Sequence, residues 1–182
     1  VIRFAGDNGI EVSGGKDVDI IGNNIQYVGR DGINVRGVQG YNAENWDVTI
    51  EDNFIRDADD DGIDVRHSGN TYVYLNDVAD VGDDGINVSH PRGYETYYGE
   101  KSISARVQEE SFFYGYTTPR IEITENVVDN AGGDGVEVKA RNVELLVDTN
   151  EITNSGENGI LLIAKGGVIP LLSDQQEVSV SF

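Results

Sequence analysis

The chain has 182 residues, a formal net charge of −20, and neither cysteine nor methionine. Such acidity excludes ordinary nucleic-acid binding and suits a saline or calcium-bearing extracellular setting, while the missing cysteines exclude disulfides and thiolate metal sites. No stretch is long and apolar enough to read as a membrane-spanning helix, and the length fits one domain with a linear core.

In chain order the predicted elements are short strands that repeat. Val1 enters in the middle of a unit, followed by Ile2 and by Gly9-Ile10-Glu11-Val12. The second unit runs from the alternating pair Val18/Ile20 through Asn23 and Ile25 to Gly32-Ile33-Asn34-Val35. A short insertion, Gly37 to Trp46, precedes the third unit of Val48/Ile50, Asn53, Ile55 and Gly62-Ile63-Asp64-Val65. The fourth has Thr71/Val73 as its weakest pair, then Asn76, Val78 and Gly85-Ile86-Asn87-Val88. A long insertion from about Pro91 to Pro119 follows. Two more units come after it, Ile121/Ile123, Asn126, Val128, Gly135-Val136-Glu137-Val138 and Leu145/Val147, Asn150, Ile152, Gly159-Ile160-Leu161-Leu162.

The glycines stand 23, 30, 23, 50 and 24 residues apart, a period near 23 broken by the two insertions. Such a period signals a solenoid of stacked units. Each unit alternates with period 2 between Gly, Asn and Asp turns and nowhere shows a 3.6-residue stripe, so it reads as a coil of about three short strands. Successive coils would stack at about 4.8 Å. From 166 to 182 the marks fade, Pro170 falls in a strand column, and alternation resumes at Val178, Val180 and Phe182, which predicts a terminal cap or partial coil.

The Asn-x-Ile step followed by Gly-Ile-x-Val resembles the right-handed parallel β-helix repeat of the pectate-lyase-like superfamily, over roughly residues 2–165. The resemblance implies an all-β, single-stranded right-handed parallel β-helix of about seven coils with a long insertion after the fourth. Residues 1–182 are expected to form one domain excised from a longer secreted or cell-surface protein, bordered by further domains or capping segments. For function the resemblance implies only a range, from polysaccharide lyases, glycoside hydrolases and uronan epimerases to tailspikes and adhesins.

In Gly-Ile-x-Val the aliphatics face inward and the middle residue outward. The outward columns read Glu11, Asn34, Asp64, Asn87, Glu137, Leu161 and then Ser13, Arg36, Arg66, Ser89, Lys139, Ile163, so polar chemistry fills the middle coils. His67 and His90 share the next column on adjacent coils, beside Asp64, Arg66 and, further on, Arg92. An imidazole base with a cation to neutralise an enolate is what proton abstraction beside a carboxylate needs, which makes Asp64, Arg66, His67 and His90 the candidate catalytic set. Asp64-Val65-Arg66-His67 does not reproduce the Asp-Pro-His-Glu segment of the alginate epimerases, so no catalytic role is carried over from them. Asn34, Arg36, Asn87, Arg92, Glu137 and Lys139 are the candidate substrate-binding groups, joined by Tyr94, Tyr97 and Tyr98 from the aromatic-rich insertion 91–119. Aromatic rings stack on sugar faces, but an insertion of this length also suits a degenerate coil packed on the solenoid.

The residue before each glycine is Asn8, Asp31, Asp61, Asp84, Asp134 or Asn158. Asp-Gly and Asn-Gly are turn dipeptides whose side chains bond local backbone. The doubling to Asp60-Asp61 above Asp83-Asp84 exceeds what a turn requires, and such an oxygen cluster suits Ca²⁺. The recurrent asparagines are expected to form a coil-to-coil amide ladder, and Trp46 to cap the core. Two functions stay open: a β-helix that binds a polysaccharide over its third and fourth coils, with cleavage or epimerisation as a further step, or a non-catalytic structural or adhesive module.

Overall fold

The computed structural model describes residues 1–37, 47–66, 68–89, 120–141, 143–165, 169–172 and 179–181. These residues form strands and turns with no helix, arranged as three parallel sheets. Sheet A stacks β1 (Ile2–Arg3), β4 (Asn24–Val28), β7 (Phe54–Ala58), β10 (Asp77–Val81), β13 (Val127–Ala131) and β16 (Glu151–Thr153). Sheet B stacks β2 (Ile10–Ser13), β5 (Ile33–Arg36), β8 (Ile63–Arg66), β11 (Ile86–Ser89), β14 (Val136–Arg141), β17 (Ile160–Lys165) and β19 (Ser179–Ser181). Sheet C stacks β3 (Val18–Ile21), β6 (Asp47–Glu51), β9 (Asn70–Tyr74), β12 (Arg120–Thr124), β15 (Glu144–Asp148) and β18 (Ile169–Leu172). The chain visits A, B and C in turn, so every strand pairs with its counterparts one coil away and the product is a parallel β-helix.

Register follows the sequence columns. Ile33 pairs with Ile63, Ile63 with Ile86, Ile86 with Val136 and Val136 with Ile160, and all five are buried in one inward stack. In sheet A the stack runs Ile2, Ile25, Ile55, Val78, Val128, Ile152. Each fully buried aliphatic contributes about 1.5–3 kcal/mol. Pro170 sits in β18, which is the edge strand of sheet C among the described residues, a position where proline is tolerated.

The corner between sheets C and A carries the expected amide ladder. Asn53 donates its backbone N–H and its Nδ2 to Asn76 Oδ1, at 3.1 and 3.0 Å; Asn76 does the same to Asn126, and Asn126 to Asn150. The other Nδ2 hydrogen reaches the preceding coil, from Asn76 to Ile50 O and from Asn126 to Val73 O, both at 2.9 Å. Each amide therefore ties three coils together. The residue before each asparagine turns the chain at positive φ, as Leu75 does at 57°. A left-handed residue without a glycine's freedom costs roughly 1–2 kcal/mol, which the ladder bonds offset.

Candidate functional site

Strands β5, β8, β11 and β14 bury Ile33/Val35, Ile63/Val65, Ile86/Val88 and Val136/Val138, and this fixes the intervening side chains on the outer face of sheet B. The column Asn34, Asp64, Asn87, Glu137 is in register across four coils, with Arg36, Arg66, Ser89 and Lys139 beside it. The face is not the open surface that alternation predicts. Asn34 and Asp64 are 0% exposed and Glu137 is buried; Asn34 and Asp64 hydrogen-bond across coils, and Arg66 and Lys139 lie against Asp64 and Glu137 from their own coils. Asn34 Nδ2 donates to Asp31 and to Asp64 Oδ2, and Arg66 Nε stands 2.6 Å from Asp64 Oδ2. Lys139 Nζ stands 2.6 Å from Glu137 Oε2.

The turn aspartates also differ from expectation, since they bond across coils and not to their local backbone. Asp61 N–H donates to Asp31 Oδ1, Asp84 N–H to Asp61 Oδ1 at 3.0 Å, Asp134 N–H to Asp84 Oδ1 at 2.7 Å and Asn158 N–H to Asp134 Oδ1. This second ladder is a stack of buried carboxylates. Burial, reinforced by the charges of Asp64, Asp84 and Asp31, pushes the Asp61 carboxyl up to about 8 against the N–H of Asp84, which lowers it. Burial, then the charges of Glu137, Asp83 and Asp134, likewise push Asp84 up to about 7 against the N–H of Asp134. Asp64 is raised by burial and held down by its hydrogen bond and ion pair with Arg66. Arg66 approaches Asp64 far more closely than Asp61, 3.9 Å away, so its charge belongs to Asp64.

Of the four aspartates expected to hold a cation, three converge. Asp61, Asp83 and Asp84 each offer a carboxylate oxygen, all within 4.8 Å of one another. Asp60 leaves the group and lies 3.8 Å from Arg30 on the exposed side of the turn. In the next coil Gly133 makes room for the cluster, since a Cβ there would meet Asp84 Oδ1 at 2.6 Å and Asp83 Oδ1 at 2.7 Å. Oxygen-only donors at this spacing suit a hard divalent cation.

Sequence reasoning missed two features of these surfaces. Three polar atoms on the outer face of sheet B are buried and have no hydrogen-bond partner among the described residues: Asn34 Oδ1, Arg36 Nε and Asn87 Oδ1. On sheet C, Tyr72 and Tyr74 project outward among acidic groups, Tyr74 Oη donating to Glu51 at 3.0 Å, whereas the sequence drew attention to the aromatics of the insertion. Their alternation with Thr71 and Val73 was the available signal. His67, His90, Arg92, Tyr94, Tyr97, Tyr98, Trp46 and the whole of 91–119 lie outside the described residues, as does most of 166–182. No helix among the described residues is long and apolar enough to cross a membrane.

The sequence model for the right-handed beta helix region matches residues 1–172, nearly the whole chain and all three stacked sheets. The chain belongs to the right-handed β-helix family. Comparison with curated proteins and with solved structures finds no significant match.

Proposed function

We propose that this β-helix is a carbohydrate-binding domain of a secreted or cell-surface protein, holding a polysaccharide along sheet B over its third and fourth coils. The observation that carries the reading is a trio of buried atoms without a partner among the described residues, Asn34 Oδ1 and Arg36 Nε on the second coil and Asn87 Oδ1 on the fourth, on one face either side of the third. Buried polar atoms ordinarily find partners, and an exception calls for an explanation, of which a ligand, water or ion supplying the partner is one. Half-exposed Arg66 and Lys139 border the same row. Binding is the primary act in this reading. In the catalytic form of the reading, His67 or His90 removes or delivers the proton and Asp64, buried against Arg66, positions that guanidinium.

Ca²⁺ is proposed as an auxiliary ligand of Asp61, Asp83 and Asp84, where it would neutralise stacked carboxylates and stiffen the turn beside the groove. A glycan array probed with the whole chain, in Ca²⁺ and in EDTA, tests both parts, followed by reducing-end and unsaturated-uronate assays on any hit. Expected is retention on at least one polysaccharide, with Ca²⁺ raising the melting temperature and Asp83→Asn blunting that rise. A chain that retains no glycan in either condition is the structural or adhesive module instead, and a melting temperature indifferent to millimolar Ca²⁺ leaves the aspartates as ladder residues only.

A further inference from the structure

Resting on the polysaccharide reading, we infer that the ligand of the sheet B face is an uncharged polysaccharide and not a polyuronate. A polyuronate brings a carboxylate with every sugar and must find cations able to pair with it. Among the described residues, two cations of this face, Arg66 and Lys139, are already engaged in close ion pairs. Arg66 holds Asp64 at 2.6 Å, Lys139 holds Glu137 at 2.6 Å, and Arg30 on the adjoining turn is shared between Asp7 at 3.6 Å and Asp60 at 3.8 Å. Arg36 forms no ion pair among the described residues, but its charge already favours the Asp64 carboxylate, so a uronate there would compete with Asp64 for it. Drawing Arg66 or Lys139 away to a substrate would leave Asp64 or Glu137 as a buried, uncompensated charge, which is strongly unfavourable.

The field of the face points the same way. The ridge of turns beside these pairs carries exposed acids, Asp7, Asp60 and Asp83 among them, and the chain as a whole carries a formal −20. An anionic polymer is repelled before it makes contact. The atoms that lack partners ask for a different chemistry: two amide oxygens, Asn34 Oδ1 and Asn87 Oδ1, need donors, and Arg36 Nε needs an acceptor. A sugar hydroxyl is both donor and acceptor, so a run of hydroxyls answers all three without adding charge. A consequence follows for reaction class. Lyase and C5-epimerase chemistry acts beside a uronate carboxylate, so an uncharged ligand leaves binding or glycoside hydrolysis as the remaining acts.

The test is affinity electrophoresis of the full chain, in EDTA so that no cation bridges two anions. The gels carry an uncharged galactan, mannan or β-glucan, a polyuronate (polygalacturonate or alginate), or chitosan, each at about 0.05 M and about 0.5 M NaCl, a range that removes most screening-sensitive attraction. Expected is retention by at least one uncharged polymer, changing less than about twofold between the two salts, with none by polyuronate. Arg36→Met, checked by its melting curve, should lose that retention several-fold. Glu137→Gln, which releases Lys139 from its partner, should acquire polyuronate retention that high salt abolishes. Retention of polyuronate in preference to every uncharged polymer, or of chitosan in such preference at the higher salt where unspecific attraction is screened, overturns the inference and leaves the polysaccharide reading standing. No polysaccharide retained in any gel overturns that reading and the inference with it.

Discussion

Asp61 accepts the backbone N–H of Asp84 with one oxygen and faces Asn87 Nδ2 and Arg66 with the other, while Asp64 and Asp31 crowd it from its own and the preceding coil. Its folded-state carboxyl lies near 8 against 3.8 as the reference, and that of Asp84 near 7. A raised value means that the folded state binds the proton more tightly. The stability linked to that proton is complete below about pH 4 and is lost as pH rises through about 7 to 8. Asp129, exposed and held below its usual range by Thr153 and Asn154, has the opposite sign and acts only in acid, below that window. Thermal melts should therefore show the protein more stable near pH 5 than near pH 8.5, contrary to a chain stabilised by ordinary ion pairs. Asp61→Asn keeps the oxygen that Asp84 requires and removes the titration, so its profile should be flatter across the same range. A native profile that rises toward pH 8 and overlays that of the variant would refute the protonated ladder.

At the scale of the coil, close stacking depends on the glycines that precede five strands of sheet B, Gly9, Gly32, Gly62, Gly85 and Gly135. A Cβ on Gly62 would stand 2.3 Å from Val78 Cγ1 and 2.6 Å from the carbonyl oxygen of Gly85. One of these is core and the other is backbone of the next coil, so neither can step aside. Gly62→Ala is expected to cost about 3 kcal/mol or more, at or beyond the upper end of ordinary overpacking. Gly6→Ala, where nothing lies within 4 Å, should stay within about 0.5 kcal/mol of the native protein. Urea titrations of the two variants side by side measure the contrast, and equal midpoints would show that the coils can part without penalty. The Asn76 amide shows why they do not part easily, since its bonds run to the coil before and the coil after at once.

Across the whole molecule, repulsion among carboxylates outweighs long-range attraction between opposite charges. Thirteen cationic side chains face thirty-three carboxylates on a narrow rod whose coils bring like charges one above another. Several exposed acids, Asp7, Asp60 and Asp83 among them, line the ridge of turns that borders sheet B. Screening should relieve that repulsion at long range and leave the short buried pairs intact. The melting temperature is expected to rise steadily with NaCl at constant pH, in native protein and in Glu137→Gln alike. A melting temperature that falls with salt would mean that surface pairs such as Arg30 with Asp7 and Asp60 contribute more than the repulsion removes.

Inward columns were readable from the chain because a period of two fixes which side chains share a face, and a fixed offset from each glycine fixes which coil position they occupy. Ile63 beneath Ile86 and Asn53 beside Asn76 need no further information. The outer face required coordinates. Stacking brings residues 23, 30 or 50 positions apart into hydrogen-bond contact, so Asp84 reaches Asp61 and Asp134 reaches Asp84 whatever length of insertion separates them. Alternation places Asp64 outward, but only the positions of Asn34 and Arg66 around it make it buried. Likewise the sequence sets four aspartates together, and the direction each side chain takes sends Asp60 to Arg30 while Asp61, Asp83 and Asp84 converge. Backbone periodicity is a property of sequence order. Burial, ion pairing and ligand geometry on that backbone are properties of neighbours in space, and the tertiary structure alone supplies those neighbours.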